Sequence, residues 1–181
     1  SDKNIFFKDR KFQRLREGYF AIFVALSLQD NSGKPHHMFF PSKQDNDVFI
    51  VYGKINEDIK ELGAYEFDIK EFTNWSSSFN DFLNKTILPK IGRYNIAIPT
   101  YRKIDGNDIK PLIEYLKINS LPTKIWFIGS STEEDQGHSI SNVSIFSKDG
   151  ILYQKSININ DWIDLNKPIT IFQDIIRFKS K

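Results

Sequence analysis

Cysteine is absent from the 181 residues. That excludes a disulfide scaffold, a thiol nucleophile and any thiolate metal site, and it fits a reducing compartment. The three histidines are too few for a cage built on imidazole. No apolar run reaches the roughly 18 residues of a membrane-crossing helix, so no membrane partner is expected. There is no internal repeat, low-complexity tract, glycine-rich phosphate loop, serine nucleophile elbow or dinucleotide fingerprint. The opening SDKNIFFKDRKFQRLREG lacks the apolar stretch and small-residue cleavage site of a signal peptide. Net charge is only +2, from 25 basic and 23 acidic side chains, so global electrostatics single out no partner.

Aromatic residues are plentiful: sixteen Phe, three Trp and seven Tyr promise a dense core in a chain long enough to bury one. Charged residues make up 27%, which is not a disordered composition. Residues 1–16 carry Lys3, Lys8, Arg10, Lys11, Arg14 and Arg16 against Asp2 and Asp9, a local +4. Such a stretch can touch phosphate; a solvated helix face is the plainer reading.

Lys11 to Gln29 reads as a helix, with Phe12, Leu15, Tyr19, Ile22, Phe23 and Leu26 at 3,4 spacing. Tyr19 to Leu28 is nearly continuously apolar, so a strand entering a hairpin through Asp30-Asn31-Ser32-Gly33 is the rival reading. Strands are expected at His37–Ser42, Val48–Ile55 and Ala64–Phe72. In the last of these Tyr65, Phe67 and Ile69 face one way, and Glu66, Asp68 and Lys70 the other. Thr73 is the expected N-cap of a helix whose stripe is Trp75, Phe79, Phe82, Leu83, Ile87 and Ile91, with Gly92 closing it. A strand at Asn95–Ile98, an amphipathic helix at Asp108–Ile118 and a strand at Lys124–Ile128 follow, then an acidic loop over residues 130–139. Lys148-Asp149-Gly150 joins a hairpin of Asn142–Phe146 and Ile151–Ile157, and Pro168 opens a last helix to about Phe178. The expected fold is α/β: a mixed central sheet flanked by helices, with a core over residues 1–140 and a C-terminal hairpin and helix over 141–181 on the same domain.

Chemistry is best placed between Asp47 and Lys70. Asp47 opens one strand, while Asp68 and Lys70 stand two apart on one face of the next. If those strands pair, two carboxylates and an ammonium converge. Mg²⁺ takes a few oxygen ligands and keeps several waters, so Asp47, Asp68 and the Ile69 carbonyl make a candidate metal set for Mg²⁺ or Mn²⁺. The bound metal would acidify a water and neutralise a scissile phosphate, with Lys70 orienting that water or contacting the phosphate. A half-exposed edge strand shows the same alternation without any chemistry, and an Asp before a strand is often a turn residue.

The order of helix, strand, strand opening with Asp, strand with Asp-x-Lys, helix and strand resembles the PD-(D/E)xK nuclease superfamily. More narrowly it resembles the double-strand DNA endonuclease domain of bacterial CBASS anti-phage systems. The matching text is REGYFAIFVALSLQ, DNDVFIVYG, YEFDIKEF, SSSFNDFLNKTILPKIG and YNIAIPTY, about half the chain. The resemblance implies a restriction-endonuclease-like sheet and hydrolysis of DNA phosphodiesters with Mg²⁺ or Mn²⁺. It also implies a cytoplasmic role in anti-phage defence or restriction, and a protein partner or homodimer. It assigns Asp47, Asp68 and Lys70 to catalysis, with Glu17 of the first helix assisting. Asn46 stands where the superfamily often has Pro, Asp45 competes with Asp47 as the first acid, and Glu66 shares the face of Asp68.

Other candidates are weaker. His36 and His37, with Asp45 or Asp47, form a possible transition-metal pair, but neighbours on a strand point to opposite faces. His138 reads as solvated, Trp75 and Trp126 as core, and Trp162 as a packing or partner surface. Tyr101-Arg102-Lys103 reads equally as a phosphate contact or a solvated loop. Besides a DNA nuclease, a catalytically inactive nuclease-like module that binds a protein partner and a purely structural domain are kept. The near-neutral charge suits the second, because DNA binders usually carry a basic stripe.

Overall fold

A computed structural model describes residues 12–34, 36–40, 48–52, 63–72, 78–101, 104–130 and 140–162. Asp45, Asp47, Thr73, Trp75, Arg102, Lys103 and His138 lie outside the described residues, as do the basic side chains before Phe12 and the helix expected after Pro168.

The described residues build a seven-stranded mixed sheet in chain order. Strands β1 (His36–Phe39), β2 (Val48–Tyr52) and β3 (Gly63–Ile69) pair antiparallel. Strands β4 (Asn95–Thr100) and β5 (Ile125–Ser130) continue from β3 in parallel. Strands β6 (Ile140–Ser147) and β7 (Gly150–Asn158) return to antiparallel pairing. The expected hairpin is thus the far edge of the same sheet. Its turn works because Gly150 takes φ +109°, a region closed to most side chains.

Period-2 alternation gives the sheet two apolar faces. Helix α1 (Gln13–Ser32) covers the face of Phe67, Ile69, Ala97, Trp126, Ile128 and Val143. The other face, with Ile96, Ile98, Ile125, Phe127 and Phe146, is covered by α2 (Phe79–Phe82 and its continuation) and α3 (Gly106–Ile118). Both helices are crossovers between parallel strands that advance in the same direction, which puts them on one face. Fully burying a side chain such as Phe23 or Phe67 contributes about 2–3 kcal/mol. No helix among the described residues is long and apolar enough to cross a membrane.

Residues 18–28 are helical, so the strand alternative is set aside. The buried stripe, however, is Glu17, Phe20, Ala21, Val24 and Leu28 with Phe23 beside it, while Leu15 is 61% exposed. The expected stripe is rotated by about one residue. A segment apolar nearly all round does not mark which side the sheet will cover.

The second helix also departs from expectation. Ser78, whose hydroxyl accepts from the Asp81 N–H at 3.0 Å, caps a short α-turn. A π-turn at Leu83–Ile87 and a 3₁₀ turn at Leu88–Lys90 follow. Pro89 has no N–H for the Lys85 carbonyl, so the α ladder cannot continue, and the Leu88 N–H reaches five residues back to the Leu83 carbonyl. Asp105, ahead of the expected start, caps α3 in a reciprocal pair with Asp108.

Candidate functional site

Strand β3 is interior to the sheet, between β2 and β4, and not the half-exposed edge that its alternation also allowed. Its C-terminal end is held firmly. Past the strand, the Lys70 N–H donates to the Ala97 carbonyl at 2.9 Å and the Phe72 N–H to the Pro99 carbonyl at 2.8 Å. Asp68 lies opposite Ile96 in the parallel register and has no exposed surface. An isolated carboxylate cannot be buried so deeply without partners.

Two lysines are among them. The Lys70 ammonium pairs with Asp68 Oδ1 and also donates to the Ile69 carbonyl at 3.2 Å. The Lys90 ammonium, from the end of the 3₁₀ turn, pairs with Asp68 Oδ2. The lysine side chains are 24% and 36% exposed, so the anion is interior and its cations reach toward water. Asp68 and Lys70 therefore share one face and touch. Asp47 is not described; the residue after it, Val48, pairs with Phe67, the residue before Asp68.

A second polar cluster adjoins the first. Arg16 Nε donates to both oxygens of Glu71, at 2.9 and 3.1 Å, and the Tyr101 hydroxyl donates to Glu71 Oε2 at 3.2 Å. Burial, then the neighbouring Glu71 charge, pushes the Tyr101 phenol well above its ordinary pKa. Two expectations are corrected here. Arg16 belongs to neither a solvated face nor a phosphate contact: it is buried because Glu71 lies under the first turn of α1. Tyr101 stands in a bend just past β4 but is half-buried, its ring packed edge-on against Phe20.

Glu17 is buried on α1, where it accepts from Gln13 Nε2 at 2.8 Å and lies 3.9 Å from Arg14 Nη1. It sits on the helix covering the Phe67 and Ile69 face, whereas Asp68 points to the face of α2; the structure does not bring the two together. Glu66 is exposed, one strand repeat from Asp68. His36 turns Nδ1 to the Lys34 carbonyl at 2.7 Å and its ring to Tyr52. Trp126 is core, its indole N–H donating to Ser27 Oγ at 3.0 Å, and Trp162 is 38% exposed.

Among the described residues no three His, Asp or Glu side chains gather into a metal-holding group. The described part of the proposed set is one carboxylate and one main-chain carbonyl. Both are hard oxygen donors of the kind Mg²⁺ and Mn²⁺ prefer, so the donor chemistry fits. The two ammonium groups now neutralise that carboxylate. Lys90 and Glu71 are the participants that sequence reasoning missed; nothing in local spacing links Lys90 to Asp68, 22 positions earlier. Comparison with known protein families, with curated proteins and with solved structures found no match for this chain.

Proposed function

We propose that this chain is a metal-dependent nuclease domain of the PD-(D/E)xK kind, hydrolysing DNA phosphodiester bonds in the cytoplasm in anti-phage defence or restriction. The observation that supports it is the contact of Asp68 with Lys70 on one face of an interior strand, one residue from the pairing of Val48 with Phe67. In this reading Asp68, Asp47 and the Ile69 carbonyl hold Mg²⁺ or Mn²⁺. The bound ion supplies an acidified water and charge neutralisation at phosphorus. Lys70 has a rigid base, because its main chain is hydrogen-bonded to β4, and a tip that reaches water. It orients the attacking water or holds a non-bridging phosphate oxygen. Water oxygen bonds to phosphorus, the bond from phosphorus to the leaving sugar oxygen breaks, and a proton passes to that oxygen.

The test is supercoiled plasmid incubated with purified protein and Mg²⁺, Mn²⁺ or a chelator. Metal-dependent nicking or linearisation, lost in both Asp68→Ala and Lys70→Ala, is the expected result. Cleavage that survives in both variants, or a wild-type protein inert with either metal, counts against it.

One observation favours the second reading, an inactive nuclease-like module that binds a protein partner. Each Asp68 oxygen lies in an ion pair with an ammonium group, which suits a buried counter-ion as well as a metal ligand. The same plasmid assay separates the two.

A further inference from the structure

Lys70 and Lys90 approach Asp68 differently. Lys70 is on the same strand and has a second acceptor in the Ile69 carbonyl. Lys90 arrives from another element, at the end of a π-turn and a 3₁₀ turn, and its side chain is the more exposed of the two. Its ammonium stands at Asp68 Oδ2. A divalent ion bound to that oxygen would sit within a few ångströms of this like charge, and the two cannot share the oxygen without strong repulsion. Lys90 has a flexible four-carbon stem and water to move into.

We propose that Lys90 is a built-in counter-cation that occupies the metal position on Asp68, so that divalent metal binds only as Lys90 swings out. This rests on the reading of Asp68 as a metal ligand and adds a regulatory element to it. Lys90 keeps the buried carboxylate neutralised when metal is scarce, and it lowers the apparent affinity for metal by the free energy of its own displacement. Anything that draws the Lys90 ammonium outward, a phosphate above all, raises metal affinity, and metal raises affinity for that phosphate by the same factor.

The experiment is Mn²⁺ binding to the full chain without substrate, followed by electron paramagnetic resonance. Lys90→Met is expected to bind Mn²⁺ at least about fivefold more tightly than wild type, the low end of coupling between two ligands. Lys90→Arg, which keeps the charge, is expected to stay near wild type, and Asp68→Asn combined with Lys90→Met to lose the gain. Equal affinity in wild type and Lys90→Met, abolished by Asp68→Asn, overturns the counter-cation role and leaves the metal site standing. No Mn²⁺ binding by any of the proteins overturns both. Should Lys90→Met not fold, the wild type suffices. Lysine-selective NMR is expected to show the protected Lys90 ammonium signal lost on Mg²⁺ saturation while that of Lys70 persists; a Lys90 signal unmoved at saturation overturns the proposal.

Discussion

Replacing Arg16 with Met tests the tie between α1 and the end of β3. The Arg16 and Glu71 side chains are 9% and 12% exposed, with Nε 2.9 Å from Oε1. At an effective dielectric near 20, unit charges about 3 Å apart attract by roughly 5–6 kcal/mol. Desolvating two ions takes back several kcal/mol each, so the intact pair adds little net stability. Breaking it is different, because the remaining charge stays buried without this counter-charge. The usual cost is about 3–5 kcal/mol, and the residual exposure here places Arg16→Met near ~3 kcal/mol. Glu71→Leu is expected to cost somewhat more, since Tyr101 also loses its acceptor. The double variant removes both charges and should lie within about 1–2 kcal/mol of wild type, the remainder belonging to the Tyr101 hydroxyl. Urea unfolding followed by tryptophan fluorescence reads this directly. With a slope of about 2 kcal/mol/M, a 3 kcal/mol loss moves the midpoint by roughly 1.5 M. A double variant as unstable as the two single losses summed would refute the reasoning, because the partners would then be uncoupled.

Three further outcomes are expected. Burial holds the His36 imidazole below its ordinary pKa, so below about pH 6.5 the unfolded state takes up protons the folded state refuses. Stability should fall as pH drops through that region and less so in His36→Gln; parallel profiles in urea would refute it. Burial and Glu71 raise Tyr101, so stability should fall once pH passes about 10, where an unfolded tyrosine ionises and the folded one does not. Tyr101→Phe should flatten that loss, and ultraviolet titration should show its phenol ionising only with unfolding. Ser27→Ala leaves the buried Trp126 indole N–H without the hydroxyl that accepts it at 3.0 Å. It should cost about 1–3 kcal/mol and shift the Trp126 emission; unchanged stability and emission would show the bond to be dispensable.

How far the chain could be read locally depended on how local each cause was. Alternation in Tyr65, Phe67 and Ile69 against Glu66 and Asp68 needs only the pleat, and the observed faces follow it. The hairpin needs only Lys148-Asp149-Gly150, and Gly150 adopts the positive φ that the turn requires. Leu112 and Leu116 are buried as their helical spacing asks. Failures arose where a distant element decided. Leu15 is expected inside and Arg16 outside; the face that the sheet covers leaves Leu15 exposed, and Arg16 is buried against Glu71, 55 positions away. Helix α2 changed form because one proline lacked an N–H, and that change sets where Lys90 emerges. A two-residue motif can therefore locate a buried anion, because period 2 fixes which side Asp68 and Lys70 share. It cannot count the cations around that anion, because the count depends on where a crossover ends. At Asp68 the crossover's end adds a second cation: Lys70 pairs with one carboxylate oxygen and Lys90 with the other.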